Sequence, residues 1–195
     1  MELIATLGRA VGFSFAAGVN LYATIAVLGL AARFEWVSLP PQFQAFNNDV
    51  VIGAAIVMYL VEFFADKIPL VDSIWDMVHT VIRPVGGALV AVTTLGESSP
   101  GVEGLVALLG GTVAASSHLT KTSTRAVANT SPEPLSNWLL SLGEDVFAIG
   151  LGYLALEHPA AALIVAGTLL VLIAVFAALI VRTVRGWFRR RQYLR

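Results

Sequence analysis

Two stretches of this chain, residues 10–32 and 159–181, each run for twenty-three residues without a formal charge. About twenty such residues, rising about 1.5 Å apiece as a helix, cross the hydrocarbon of a bilayer. Each stretch is therefore predicted to span a membrane. The composition agrees: 57% of the residues are hydrophobic, 13% are charged and the mean hydropathy is +0.80, outside the range of water-soluble domains. The first stretch reads as retained rather than cleaved, because its apolar run is long for a leader, Glu2 stands where a basic region is expected and no small-x-small site follows. The chain has no cysteine, which excludes disulfides and thiolate metal sites.

Four further crossings are predicted. Residues 49–65 form the second, 104–120 the fourth and 135–156 the fifth. The segment 84–96 is apolar but short; it serves as the third crossing with help from the residues before Pro84, or as a re-entrant half-helix. Counting alternate crossings puts Arg9, Lys67, Arg83, Lys121, Arg125 and the arginines from Arg182 to Arg195 on one side, with Arg33 on the other. By the positive-inside rule the first side is the cytoplasm. The opposite loops hold Glu35, Asp49, Glu97, Glu103 and Glu157. The expected fold is thus an all-α polytopic membrane protein of about six transmembrane segments, or five plus a re-entrant half-helix, with both termini cytoplasmic in a bacterial inner membrane. Residues 1–181 form one transmembrane domain, and 182–195 a basic cytoplasmic tail that lies, with Trp187 and Tyr193, on anionic headgroups rather than on nucleic acid.

Six crossings divide into two threes of opposite orientation, the plan of many secondary transporters. "GFSFAAGVNLYAT" (12–24) can be set on "GGTVAASSHLTKT" (110–122), which puts Asn20 on His118; similar superpositions put Glu62 on Glu144 and Pro84 on Pro159. A 3+3 inverted repeat is the expectation this raises.

Polar residues gather in helical stripes. Asp72, Asp76, His79 and Arg83 recur at i, i+4, i+7 and i+11, opposite Val71, Ile74, Trp75, Val78 and Ile82. One reading is an interfacial helix with solvated charges. Another turns the stripe inward, where Asp72, Asp76 and His79 offer oxygen and nitrogen ligands to a divalent metal. A second stripe, His118, Lys121, Thr122, Arg125 and Asn129, has the opposite sign. It can pair with Asp72 and Asp76, or receive an anion such as a phosphate. Together with Asp66 the two stripes are predicted to form a cytoplasmic gate.

Glu144 and Asp145 stand mid-span, where a carboxylate costs a few kcal/mol and commonly marks an ion or proton route. With Glu62 and Asn20 they make a predicted protonatable midplane site. Asn20 and Tyr22, in the middle of the first span beside Gly18, also suggest an interruption or a polar contact, a plain interhelical hydrogen bond being the commoner use. "NTSPEPLSNW" (129–138) reads as structural punctuation between helices. No P-loop, G-x-S-x-G, H-E-x-x-H or dinucleotide fingerprint occurs, so the common enzyme classes lack support.

The strings "EFFADKIPLVDSIWDMVHTVIRPVGG" (62–87), "SSHLTKTSTRAVANTSPEPLSNWLLSLGED" (116–145) and "GVNLYAT" (18–24) resemble a bacterial integral-membrane family catalogued as domain of unknown function 4126. The resemblance covers nearly the whole chain. It implies a compact multi-span protein and carries no reaction with it. The function expected is a transporter or channel for a small charged solute, an ion or a phosphate-like anion. Two alternatives stay open: a membrane-embedded enzyme that uses a divalent metal on a lipid phosphate, and a structural or lipid-binding scaffold. A homo-oligomer is compatible with each.

Overall fold

Asn20 divides the first apolar window into two helices. In the computed structural model, which describes residues 2–130 and 134–192, α1 runs over Glu2–Val19 and α2 over Leu21–Arg33. Between them Asn20 is extended (φ −147°, ψ 101°), and its side-chain oxygen accepts from the Ala23 amide as the cap of α2. A 3₁₀ turn, Pro41–Phe46, leads to α3 (Asp49–Ala65), α4 (Pro69–Thr93), α5 (Pro100–Ala128), α6 (Pro134–Glu157) and α7 (Pro159–Gln192). The last four begin on proline, whose missing N–H and fixed φ suit the first helical position. Four helical segments are long and apolar enough to cross a membrane: Glu2–Val19, Pro100–Ala128, Leu135–Glu157 and Pro159–Arg185.

Contacts along the helices give their directions. Gly8 lies against Pro159 and Gly12 against Ala155 and Ala162, so α1 starts at the end of the bundle where α6 passes into α7. Asn20 reaches Asp145, halfway along α6, but Val27 is beside Gly152 and Gly29 is beside Phe46 and Ile52. Phe13 meets Phe43 of the same 3₁₀ turn, with ring centroids 5.9 Å apart. Beyond Asn20, therefore, α2 folds back toward the end from which α1 came. The two form a V with its tip midway along the bundle, in place of the single continuous helix expected over 10–32. Asn20 is the interruption that its polarity suggested; its side chain caps the new helix, so the break leaves one orphan amide satisfied.

α1 is the central helix. Its Gly8, Ala10, Gly12, Ala16, Ala17 and Gly18 are buried and let α4, α5, α6 and α7 approach closely. α5 advances alongside α1, since Gly110 is near Ser14 and the Ser117 hydroxyl donates to the Phe15 carbonyl at 2.9 Å. α4 runs against both: Ser14 donates to the Gly87 carbonyl at 3.0 Å, and Gly87 packs on Gly110 and Ala114. α3 starts beside the end of α2, where Arg33 and Asp49 pair at 2.6 Å, and ends beside the start of α4.

Three further expectations change. Pro84 sits inside α4, which is one helix from Pro69 to Thr93, so 84–96 is joined to the residues before Pro84, as the first of its two expected forms requires, and is not a half-helix. The start of α1 and the end of α7 fall at opposite ends of the bundle, because the V returns the chain to the end where it began, whereas the sequence leads to both termini on one side. The segments 12–24 and 110–122, matched as halves of an inverted repeat, belong to helices that run parallel, and α5 continues unbroken through His118. An inverted repeat requires the opposite. The basic tail continues α7 as helix to Gln192, while Tyr193 lies outside the described residues, as do Ser131, Pro132 and Glu133 of the expected break before α6.

A buried charge network as candidate functional site

The stripe on α4 faces inward. Asp72, Asp76, His79 and Arg83 are all buried, while Ile74, Met77, Val78 and Val81 point outward and are exposed. An interfacial helix with solvated charges would show the reverse. α5 does the same with His118, Lys121 and Arg125. The ends of α3 and the following turn add Glu62 and Asp66, α6 adds Glu144 and Asp145, and the tip of the V adds Asn20 and Tyr22. Apart from Thr122, whose hydroxyl donates to the Leu119 carbonyl on its own helix, the residues singled out for a midplane site and for a gate lie together in one region of the bundle. It occupies the half of the bundle away from the start of α1.

Lys121 sits among three carboxylates: Glu62 and Asp66, each at 3.2 Å, and Glu144 at 3.7 Å. Arg125 ties two of the same groups together from the other direction. Its Nη2 donates to Asp66 Oδ2 and Glu144 Oε2 at 2.7 Å each, its Nε to Glu144 at 2.9 Å, and its Nη1 to the Asp66 carbonyl at 2.9 Å and to Asn137 Oδ1 at 3.2 Å. Arg83 donates to Glu62 at 2.7 Å and to the Gly18 carbonyl at 3.2 Å. The second pairing places a cation at the C-terminal end of α1, where the helix dipole favours one. The N-terminal end of α2 has the converse arrangement, with Asn20 Nδ2 donating to Asp145 Oδ1 at 2.9 Å.

The carboxylates of the first stripe are bound less tightly. Asp76 is 3.6 Å from Arg83 on its own helix, and Asp72 is 3.9 Å from Arg125 and accepts from Asn129 Nδ2 at 2.8 Å. The predicted pairing of the two stripes is therefore partial: Lys121 turns to α3 and α6 instead. Asn137, read from the sequence as punctuation, is buried and bonded to Arg125, and Ser141 one turn further on is fully buried. Their spacing with Asp145, at i, i+4 and i+8, is the signal that marks this third stripe. Lys67 stays apart in the turn between α3 and α4, with Nζ on the Phe63 carbonyl at 2.8 Å and over the Phe63 ring; burial lowers its ammonium from the ordinary lysine value.

Both histidines of the network use their two ring nitrogens in hydrogen bonds. Arg83 can only donate, so His118 Nδ1 accepts from it at 2.8 Å, and the proton on Nε2 faces the Thr80 hydroxyl at 3.2 Å. His79 Nδ1 donates to the Trp75 carbonyl at 2.7 Å, which leaves Nε2 to accept from Tyr22 at 2.9 Å. Neither imidazole has a free nitrogen for a metal. Among the described residues no three histidine, aspartate or glutamate side chains converge to hold one. The divalent site predicted at Asp72, Asp76 and His79 is corrected on that ground: these groups face other partners.

The network holds more carboxylates than cations. Glu62, Asp66, Asp72, Asp76 and Asp145 are buried, Glu144 is nearly so, and only Arg83, Lys121 and Arg125 oppose them. One oxygen each of Glu62, Asp66, Asp72, Asp76 and Asp145 is buried without a hydrogen-bond partner among the described residues. Buried polar atoms are normally satisfied by protein, water or an ion. The site can accordingly accept a positive charge, whereas each of its own cations is paired with a carboxylate, with Arg83 Nε left without a partner among the described residues.

No curated protein and no solved structure matches the chain. A family model described as a domain of unknown function, DUF4126, matches residues 7–179, and the chain belongs to that family.

Proposed function

We propose that this is an integral membrane transporter or channel for a small cation. It crosses the membrane five times, as α3 to α7, with α1 and α2 as a re-entrant hairpin from the opposite face. The observation that carries this reading is the surplus of buried carboxylates over cations at the tip of a broken-helix hairpin. Ionisable groups within membrane helices commonly line ion routes. Discontinuous helices place polar backbone at mid-depth, where transporters bind their cargo. An anionic cargo is disfavoured because Arg83, Lys121 and Arg125 are each paired with carboxylates. The end of the bundle holding the network also carries Lys67, Arg182 and Arg185, while Arg9 and Arg33 lie at the other among six acidic residues, Glu2, Glu35, Asp49, Glu97, Glu103 and Glu157. The positive-inside rule assigns the first to the cytoplasm of a bacterial inner membrane. The network then acts as the cytoplasmic gate: its ion pairs hold α3 and α6 to α5, and an incoming cation competes with Lys121 and Arg125 for their carboxylates.

Purified protein in sealed liposomes, given proton, sodium, potassium or magnesium gradients, tests the reading through entrapped fluorescent indicators. Flux of one cation above that of empty vesicles is expected. Vesicles that contain folded protein in both orientations and conduct none of the four would overturn it.

A further inference from the structure

The six carboxylates are not equivalent. Glu62, Asp66 and Glu144 each lie within 4 Å of two cationic side chains, and Asp72 and Asp76 of one. Asp145 makes no ion pair among the described residues. It is 3% exposed; Oδ1 accepts from the Asn20 amide, Oδ2 has no partner within strict hydrogen-bond geometry, and among the described residues the Tyr59 hydroxyl of α3 is the one further polar group close enough to donate to the carboxylate. An isolated carboxylate in a water-poor interior must be neutralised or matched by a mobile cation. A hard metal cation takes about six oxygens, and no three acidic or imidazole groups converge here. A proton needs one oxygen.

The third stripe supplies a path. Asn137, Ser141 and Asp145 are buried on one face of α6 and extend from its first turn to the hairpin tip. Each holds a buried polar atom without a partner: Asn137 Nδ2, Ser141 Oγ and Asp145 Oδ2. A row of such atoms is costly when dry and is the setting in which ordered water is found. The geometry points to Asp145 as the proton-binding site of the protein, reached from the far end of α6 through waters held by Asn137 and Ser141. A proton from bulk water binds Oδ2, and the same bond breaks on release. Lys121 and Glu62, with Asp66 and Lys67 from the turn after α3, surround it electrostatically, along with Tyr59 from α3 and the adjacent Glu144. Any rearrangement of the Lys121 pairs therefore alters its hold on the proton, which ties proton binding to the gate.

This inference deepens the transport reading and rests on it for the meaning of the proton, but its test does not. Infrared difference spectroscopy of the purified protein in nanodiscs, titrated with alkali, reads protonated carboxyl groups directly. Wild type is expected to lose one buried carboxylic-acid band on titration, and Asp145→Asn to lack that band while Glu144→Gln retains it. An undiminished band in folded Asp145→Asn overturns the assignment. Should Asp145→Asn not fold, Asn20→Ser serves instead: serine keeps the cap of α2 but removes the amide that donates to Asp145. The band's midpoint is then expected to move, and an unmoved midpoint overturns the proposal. A band assigned to Asp145 in a protein that conducts nothing would refute the transport reading alone; cation flux with no such band would refute this inference alone.

Discussion

Arg125 directs every one of its side-chain nitrogens to an acceptor, joining the turn after α3 to α5 and α6. Truncating it leaves Asp66 and Glu144 to share Lys121, and breaking a buried pair from one side costs roughly 3–5 kcal/mol. Arg125→Ala should therefore lower the unfolding midpoint of the detergent-solubilised protein sharply, whereas Ser123→Ala, an exposed position of the same helix whose hydroxyl bonds only to the Leu119 carbonyl, should leave it nearly unchanged. Tyr22→Phe removes one neutral donor from His79 and should cost about 1 kcal/mol by the same measurement. A loss as large as that of Arg125→Ala would mean that the Tyr22 hydroxyl supports more than His79. The identities of these residues were legible from the sequence, because charged side chains at helical spacing in an apolar chain stand out. Their pairings were not. Lys121 could be assigned to Asp72 and Asp76 as readily as to Glu62, Asp66 and Glu144, since spacing along one helix says nothing of which neighbour faces it.

The V depends on close approach at its tip. Gly18 lies against the Ala114 carbonyl and the Ser117 hydroxyl, so a methyl group there must push the tip away from α5. Gly18→Ala is expected to destabilise by roughly 1–3 kcal/mol, the usual cost of overpacking. Gly143→Ala is the control: that position on α6 faces open space, and alanine should be neutral or stabilising by up to about 1 kcal/mol through helix propensity. Equal effects on melting temperature at the two sites would contradict the packing described here. Apolar run length alone could not separate a crossing from a hairpin, because both bury about the same number of apolar residues. Asn20 carried the distinguishing signal, but asparagine in a span is also used for a simple interhelical hydrogen bond. The α4 stripe was ambiguous for a similar reason: an amphipathic helix reads alike whether its polar face meets headgroups or other helices.

The proposed arrangement of five crossings and a hairpin puts the start of α1 and the end of α7 on opposite faces. The absence of native cysteine makes this directly measurable. Single cysteines at Glu2 and Glu97 should react with a membrane-impermeant maleimide from outside intact cells, and those at Val127 and Arg185 only after lysis. Labelling of Glu2→Cys and Arg185→Cys from the same side would restore an even number of crossings and overturn the arrangement. The sequence alone determined that this is a helical membrane protein with a concentration of ionisable residues, because hydropathy and charge spacing are local and additive along the chain. It could not determine that Asn20 turns the chain back, that the charge stripes close into one network, or that Asp145, of the six carboxylates, makes no ion pair among the described residues. Those depend on which helix faces meet, and that was decided by small residues on α1 that let four neighbouring helices pack against it at once.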